Sequence, residues 1–212
     1  MEVYIVGISG LGREVANYVL DVDGFRILGF VDQDVDILPT IVKIRNEEYP
    51  VYKESVFLSM ARSQLVPPAV VLGLGFPGVR KKVVEKYREY CSFPNIVHPS
   101  AFVADSVEKI GEGNIIAPNC IFTTAIQLGN FNFFNLAVTV GHDVVIKDYN
   151  VFNPGVAVSG AVRIDDCNLF GVHSCIRQGI TIGSGNILGM GGVLLKNMGN
   201  NETWVGVPAK LK

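Results

Sequence analysis

Two hydrophobic rhythms divide the chain near residue 98. Over residues 1–97, short apolar runs alternate with amphipathic stretches. VYIVG (3–7) reads as a buried strand, GISGLG (7–12) as a glycine-rich turn, and REVANYVLDV (13–22) as a helix. FRILGFVDQD (25–34) is a second strand ending in carboxylates, AVVLGLG (69–75) another, and VRKKVVEKYREY (79–90) an amphipathic helix. This alternation predicts a small, Rossmann-like parallel α/β sheet. Over residues 98–212 the rhythm changes. Stepping by six from Ile110 gives Ile116, Phe122, Leu128, Phe134, Val140, Ile146, Phe152, Val158, Ile164, Phe170, Ile176, Ile182, Leu188 and Leu194. All fifteen are aliphatic or Phe, although only 49% of the chain is hydrophobic. Chance gives such a run with odds on the order of one in tens of thousands. A six-residue period belongs to neither an α-helix nor a lone strand, and predicts a parallel β-helix with one large core residue per short strand. The register never breaks between 110 and 194, so no large loop interrupts it.

Composition narrows the partners. The net charge of −2, without a basic tract, argues against a general nucleic-acid or anionic-membrane binder. No apolar run reaches the roughly 18 residues of a membrane helix, and Met1-Glu2 leads directly into VYIVG with no signal peptide. The four cysteines, Cys91, Cys120, Cys167 and Cys175, form no CxxC pair and read as reduced core thiols. The expectation is a cytoplasmic protein.

The chemistry-bearing residues are few. His142, one of three histidines, is followed directly by Asp143. Two and three residues past core Val140, the pair falls where one flat side of the β-helix meets the next. An imidazole beside a carboxylate suits general-base work, because the carboxylate fixes the tautomer and stabilises the imidazolium. GISGLG has the spacing GxxGxG and not the dinucleotide GxGxxG, yet it sets backbone N–H groups at a helix N-terminus, which suits a diphosphate. Asp32, ending the second strand, is placed to accept hydrogen bonds from a ribose or base. The three histidines occupy different repeat phases, so a three-histidine zinc site is not expected. His98 reads as the start of the β-helix and His173 as a surface turn.

In chain order, GISGLGREV, GFVDQD, LGLGFPGVRKK, IVHPSAFV, GHD and WVGVPAKLK span nearly the whole sequence. This resembles the bacterial nucleotide-sugar N-acetyltransferases of the hexapeptide-repeat family, with the sialic-acid O-acetyltransferase-like architecture, including the UDP-4-amino-sugar acetyltransferases of glycan biosynthesis. The resemblance implies a left-handed β-helix of three hexapeptides per triangular coil, hence about five coils over 98–212. It implies a homotrimer with active sites between neighbours, acetyl-CoA as co-substrate, no metal, and a nucleotide-linked amino sugar bound by residues 1–97.

At eighteen residues per coil, Gly160 stacks on His142 and Asn153 on Asn135, so base, carboxylate, amide and glycine N–H are expected on one patch. Asn114, Asn132, Asn150, Asn168 and Asn186 form an eighteen-residue ladder, expected to be turn residues in left-handed backbone. By resemblance His142 is the catalytic base, Asp143 raises its basicity, and the Gly160 N–H meets the thioester carbonyl. Asn135 then contacts substrate, and Ser9, Gly10, Leu11, Asp32, Gln33 and Gly75 line the nucleotide-sugar site. The backbone at Val151, Val172 and Met190 lines acetyl-CoA, whose nucleotide runs toward the last coils; Lys196, Lys210 and Lys212 read as solvated. Leu11 and Val151 stand where many members carry His, and Gln33 where a second acid is common. These departures bear on which sugar and nucleotide are used. An O-acetyltransferase acting on a sialic acid, and a non-enzymatic nucleotide-sugar-binding trimer scaffold, are the alternatives.

Overall fold

The computed structural model describes residues 1–34, 38–107 and 109–212. The first unit is built from β1 (Glu2–Val6), α1 (Gly10–Leu20), β2 (Arg26–Asp32), β3 (Ile41–Ile44), β4 (Glu47–Lys53), α2 (Glu54–Ser63), β5 (Ala69–Leu72) and α3 (Pro77–Tyr87). The sheet order is β3-β4-β2-β1-β5. β4, β2, β1 and β5 run parallel, while β3 turns back antiparallel on β4, so the sheet is mixed. Helix α1 starts three residues earlier than its pattern predicts, which corrects the reading of GISGLG as turn throughout. Gly10 and Gly12 are already helical. The reason is a close approach: a Cβ on Gly12 would sit 2.0 Å from the Gly7 carbonyl oxygen. Only glycine lets the first turn of α1 pack against the end of β1.

The second unit is a triangular prism. Its fifteen two-residue strands end on the fifteen core positions named above. Fourteen of those are buried, with Ile110 half-buried at the open end. Five coils stack three sides. The first side carries 115–116, 133–134, 151–152, 169–170 and 187–188. The second carries 121–122, 139–140, 157–158, 175–176 and 193–194, and the third 109–110, 127–128, 145–146, 163–164 and 181–182. The parallel ladder of the first side begins at Ile96–Val97 and is closed by Thr203–Val205 and Lys210–Leu211. Inside the prism Phe134, Phe152 and Phe170 stack with centroids 4.7 Å apart, one ring per coil at the spacing of parallel strands.

The corners hold the left-handed residues. Asn119, Ala137 and His173 occupy the first corner, between first and second sides, and Ala125, Asp143 and Ala161 the second. Phe131, Tyr149 and Cys167 occupy the third, between third and first sides. The asparagine ladder therefore differs from expectation: the left-handed residue is the one before each asparagine. Asn114, Asn132, Asn150, Asn168 and Asn186 are buried to within 1% of full exclusion. Each Oδ1 accepts the backbone N–H one coil higher, from Asn132 on Asn114 up to Glu202 on Asn186. Buried amides are satisfied by each other, and the side chains become an internal spine.

The α/β unit docks on the third corner. Phe131 stacks on Tyr149 at 5.2 Å and meets Phe93 edge-on at 5.1 Å. Arg80 is fully buried, donating from Nε to the Phe131 carbonyl at 3.1 Å and from Nη1 to those of Leu72 and Leu74. Burial pushes its pKa down to about 9; the carbonyls are what make the buried cation tolerable. No helix among the described residues is long and apolar enough to cross a membrane.

Candidate active site

His142 and Asp143 form the turn of the second corner. Asp143 holds φ +58°, and its N–H donates to the Thr124 carbonyl at 3.1 Å. That left-handed turn swings two sequence neighbours, which would diverge on a straight strand, onto the same outer face. His142 Nδ1 lies 2.7 Å from Asp143 Oδ2. With Nδ1 committed to the carboxylate, Nε2 is left as the reactive nitrogen. Side-chain exposures of 52% and 62% leave the pair open to a ligand.

Gly160 lies one coil above, and is buried by the ring. A Cβ there would come within 2.5 Å of His142 Nε2 and 2.6 Å of Cε1. The Gly160 N–H has no acceptor among the described residues, whereas its neighbour Ala161 donates to the His142 carbonyl at 2.7 Å. A base, its orienting carboxylate and a glycine whose N–H has no acceptor among the described residues thus stand side by side.

Asn135 does not join them, contrary to the expected single patch. It precedes the first corner, a whole prism side away, because it belongs to a first-side hexapeptide and His142 to a second-side one. It is 7% exposed, and its Oδ1 accepts the Leu136 N–H at 2.8 Å. Val172 and Met190 are exposed on that same first corner. Val151 is buried on the first side.

The remaining residues gather at the carboxyl edge of the α/β sheet, where β1 separates β2 from β5. Ser9 caps α1 in extended backbone, with no side-chain capping bond, so the first-turn amides are uncapped. Asp32 Oδ2 accepts the Ile8 N–H at 2.8 Å and Oδ1 the Gln33 N–H at 2.7 Å. The carboxylate therefore shapes this loop first, keeping its spare lone pairs for a ligand. Leu11 and Gly75 adjoin: a Cβ on Gly75 would touch Leu11 Cδ2 at 3.1 Å. Just beyond Gly75 opens a cavity of about 430 Å3 between the start of α3 (Phe76, Val79, Lys82) and the prism (Cys167, Leu169, Ile187). Sequence reading missed it. The signal was in the third-corner column, where Phe131 and Tyr149 give way to Cys167 and Gly185 and the aromatic filling stops. The cysteine reading needs one correction: Cys91 and Cys120 are buried, but Cys175 faces outward on the second side.

No group of three or more His, Cys, Asp or Glu among the described residues is arranged to hold a metal. An α/β unit with uncapped helix amides, joined to a hexapeptide prism with a histidine–carboxylate corner, defines the class: a left-handed β-helix acyltransferase. Comparisons with known proteins agree. The family described as the PglD N-terminal domain matches residues 2–87. No curated protein matches the chain. Among solved structures, it is similar to perosamine N-acetyltransferase from Caulobacter crescentus, a form with one histidine replaced by Asn, in complex with CoA and GDP-perosamine. That likeness has 27% identity and a TM-score of 0.89, covering 100% of this chain and 97% of that one. WeeI from Acinetobacter baumannii AYE is 28% identical over 100% of both chains, with a TM-score of 0.84. The acetyltransferase domain of PglB from Neisseria gonorrhoeae FA1090, in complex with acetyl coenzyme A, is 25% identical over 100% and 98%, at 0.86. The resemblance to hexapeptide-repeat nucleotide-sugar N-acetyltransferases read from the motifs holds over the full length.

Proposed function

We propose that this protein is an acetyl-CoA-dependent N-acetyltransferase acting on the amino group of a nucleotide-linked amino sugar, with His142 as base, working as a homotrimer. The observation that carries the reading is the His142–Asp143 pair at 2.7 Å, set against the buried Gly160, whose N–H has no acceptor among the described residues. Acetyl-CoA supplies the acetyl group as a thioester. His142 Nε2 takes the proton of the attacking amine, Asp143 stabilises the resulting imidazolium, and the Gly160 N–H meets the carbonyl oxygen as it gains charge. The proton on Nε2 is then available to the departing thiolate.

The trimer follows from which prism side lacks a cover. Outward residues of the second side are Phe102 (60% exposed), Ile121 (43%), Thr139, Ala157, Cys175 and Val193, with no charge among them. The third side presents Lys109, Gln127, Val145, Arg163 and Thr181, and the α/β unit buries Ile115, Phe133 and Val151 on the first. An uncharged, partly apolar face needs a partner, and three second sides around a threefold axis supply one. That packing brings the second corner of one protomer to the first corner of the next. His142, Asp143 and Gly160 would then face Asn135, Val172 and Met190 of the neighbour, uniting groups that one chain holds apart. Ser9, Gly10, Leu11, Asp32, Gln33 and Gly75 would hold the nucleotide sugar; its diphosphate sits on the uncapped α1 amides.

The test is mass spectrometry of acetyl-CoA incubated with UDP-, dTDP- and GDP-linked amino sugars, alongside light scattering. The expected result is one acetyl added to the amine of one sugar class by a trimer. Acetylation of a hydroxyl only, or full activity from a stable monomer, contradicts it.

A further inference from the structure

Two imidazoles lie outside the site just assembled: His98 is engaged by Ser100 through Nδ1 and faces Asp21 through Nε2, which leaves His173. His173 stands at the first corner with φ +54° and is exposed. Its ring lies over Gly155 one coil below, where a Cβ would come within 2.3 Å of Nδ1. One coil above, Gly191 has nothing within 4 Å of its Cβ position. A glycine beneath and open space above leave the ring free to meet a ligand, and neither ring nitrogen has a hydrogen-bond partner among the described residues. The fold does not ask for histidine here. Ala137 takes the same first-corner position two coils lower, and Ala125 and Ala161 the matching place on the second corner, all in left-handed backbone.

The surroundings indicate what such a ring would touch. Val172 and Met190 flank His173 on the corner, 37% and 79% exposed. An apolar strip interrupted by one imidazole suits an alkyl chain carrying amides better than a sugar or a phosphate. The thirty-one residues from 142 to 173 make nearly two coils, roughly 8 Å along the prism axis at ~4.8 Å per coil. Parallel prism axes preserve that height across the interface. A thioester at His142 would extend its pantetheine arm past the first corner of the neighbouring protomer at about this level.

We propose that His173 of one protomer, across the interface from His142 of the next, binds the pantetheine arm of acetyl-CoA by hydrogen bonding to the amide beyond its cysteamine unit. This assignment rests on the trimeric acetyltransferase reading. The experiment titrates CoA calorimetrically into wild-type, His173→Ala and His173→Asn protein, and compares kinetics with acetyl-CoA and with S-acetyl-N-acetylcysteamine, which ends before that amide. His173→Ala should weaken CoA binding about three- to tenfold, the range of one hydrogen bond. The acetyl-CoA KM should rise by the same factor, with kcat and the nucleotide-sugar KM unchanged. The short donor should lose nothing, and Asn, which tolerates left-handed backbone and retains an amide, should recover part of the affinity. Equal CoA affinity in wild type and His173→Ala, or equal losses with both donors, overturns the assignment while leaving the acetyltransferase reading intact. A wild-type protein that binds no CoA overturns both. Should His173→Ala fail to assemble, His173→Asn decides by the same readouts.

Discussion

Gly160 is the floor on which the His142 imidazole lies, with Nε2 only 2.5 Å from where an alanine Cβ would be. Its backbone is not in the left-handed region, and the three atoms nearest an added Cβ all belong to the His142 ring. Gly160→Ala should therefore fold and assemble normally, while tilting the base from its working position. A displacement of about 1 Å costs on the order of 10²-fold in rate. Steady-state kcat beside an unchanged melting curve checks this; an unchanged kcat would mean that the ring position is irrelevant to the chemistry.

The asparagine spine gives a stability prediction with no catalytic component. Asn150 accepts from the Asn168 backbone N–H at 2.9 Å and side-chain amide at 3.0 Å, both buried. Asn150→Ala strands these donors away from water and should cost about 2–4 kcal/mol. Denaturant titration measures it. A loss below about 0.5 kcal/mol would show that the spine is incidental to the stacking of apolar residues.

Thiol labelling reads the assembly. Burial pushes the Cys91 thiol up to about 12 and the Cys120 thiol up to about 11, so at pH 8 both are almost wholly protonated as well as shielded. Iodoacetamide should leave them unmodified until the protein unfolds. Cys175 faces outward on the second side, the side assigned to the threefold axis. Peptide mass spectrometry should find it protected in the assembled protein and alkylated on dilution below the dissociation range. Rapid alkylation of Cys175 in the concentrated protein would place the interface elsewhere.

The prism was legible because each hexapeptide ends its strand on a large core residue, and every strand ends where Ile110 to Leu194 predicted. The nearness of Gly160 to His142 followed from the same period. Asn135 was misplaced because an eighteen-residue step identifies stacked neighbours but says nothing of residues at two different corners of one coil. Residues 41–63 gave no reading: IVKIRNEEYPVYK mixes charges into an edge hairpin, and α2 buries only Phe57, Leu58 and Ala61. Arg80 was indistinguishable from Lys81 and Lys82 in an amphipathic pattern, since its partners are carbonyls of β5, of the loop after it and of the prism. The start of α1 was misread because glycine normally ends helices, and here close packing requires it inside one.

The second corner is assigned the proton transfer, and two substitutions there bear on it. Asp143→Asn keeps the left-handed turn, which Asn tolerates, but removes the charge that stabilises the imidazolium. The loss of rate should be smaller than on removal of the base itself, and steady-state kcat of the two variants side by side checks it. The direct measurement is kcat of His142→Ala at saturating acetyl-CoA and amino sugar, with trimer and substrate binding verified. A loss of roughly 10²–10⁴-fold is expected; a kcat near wild type would place the chemistry elsewhere on the protein.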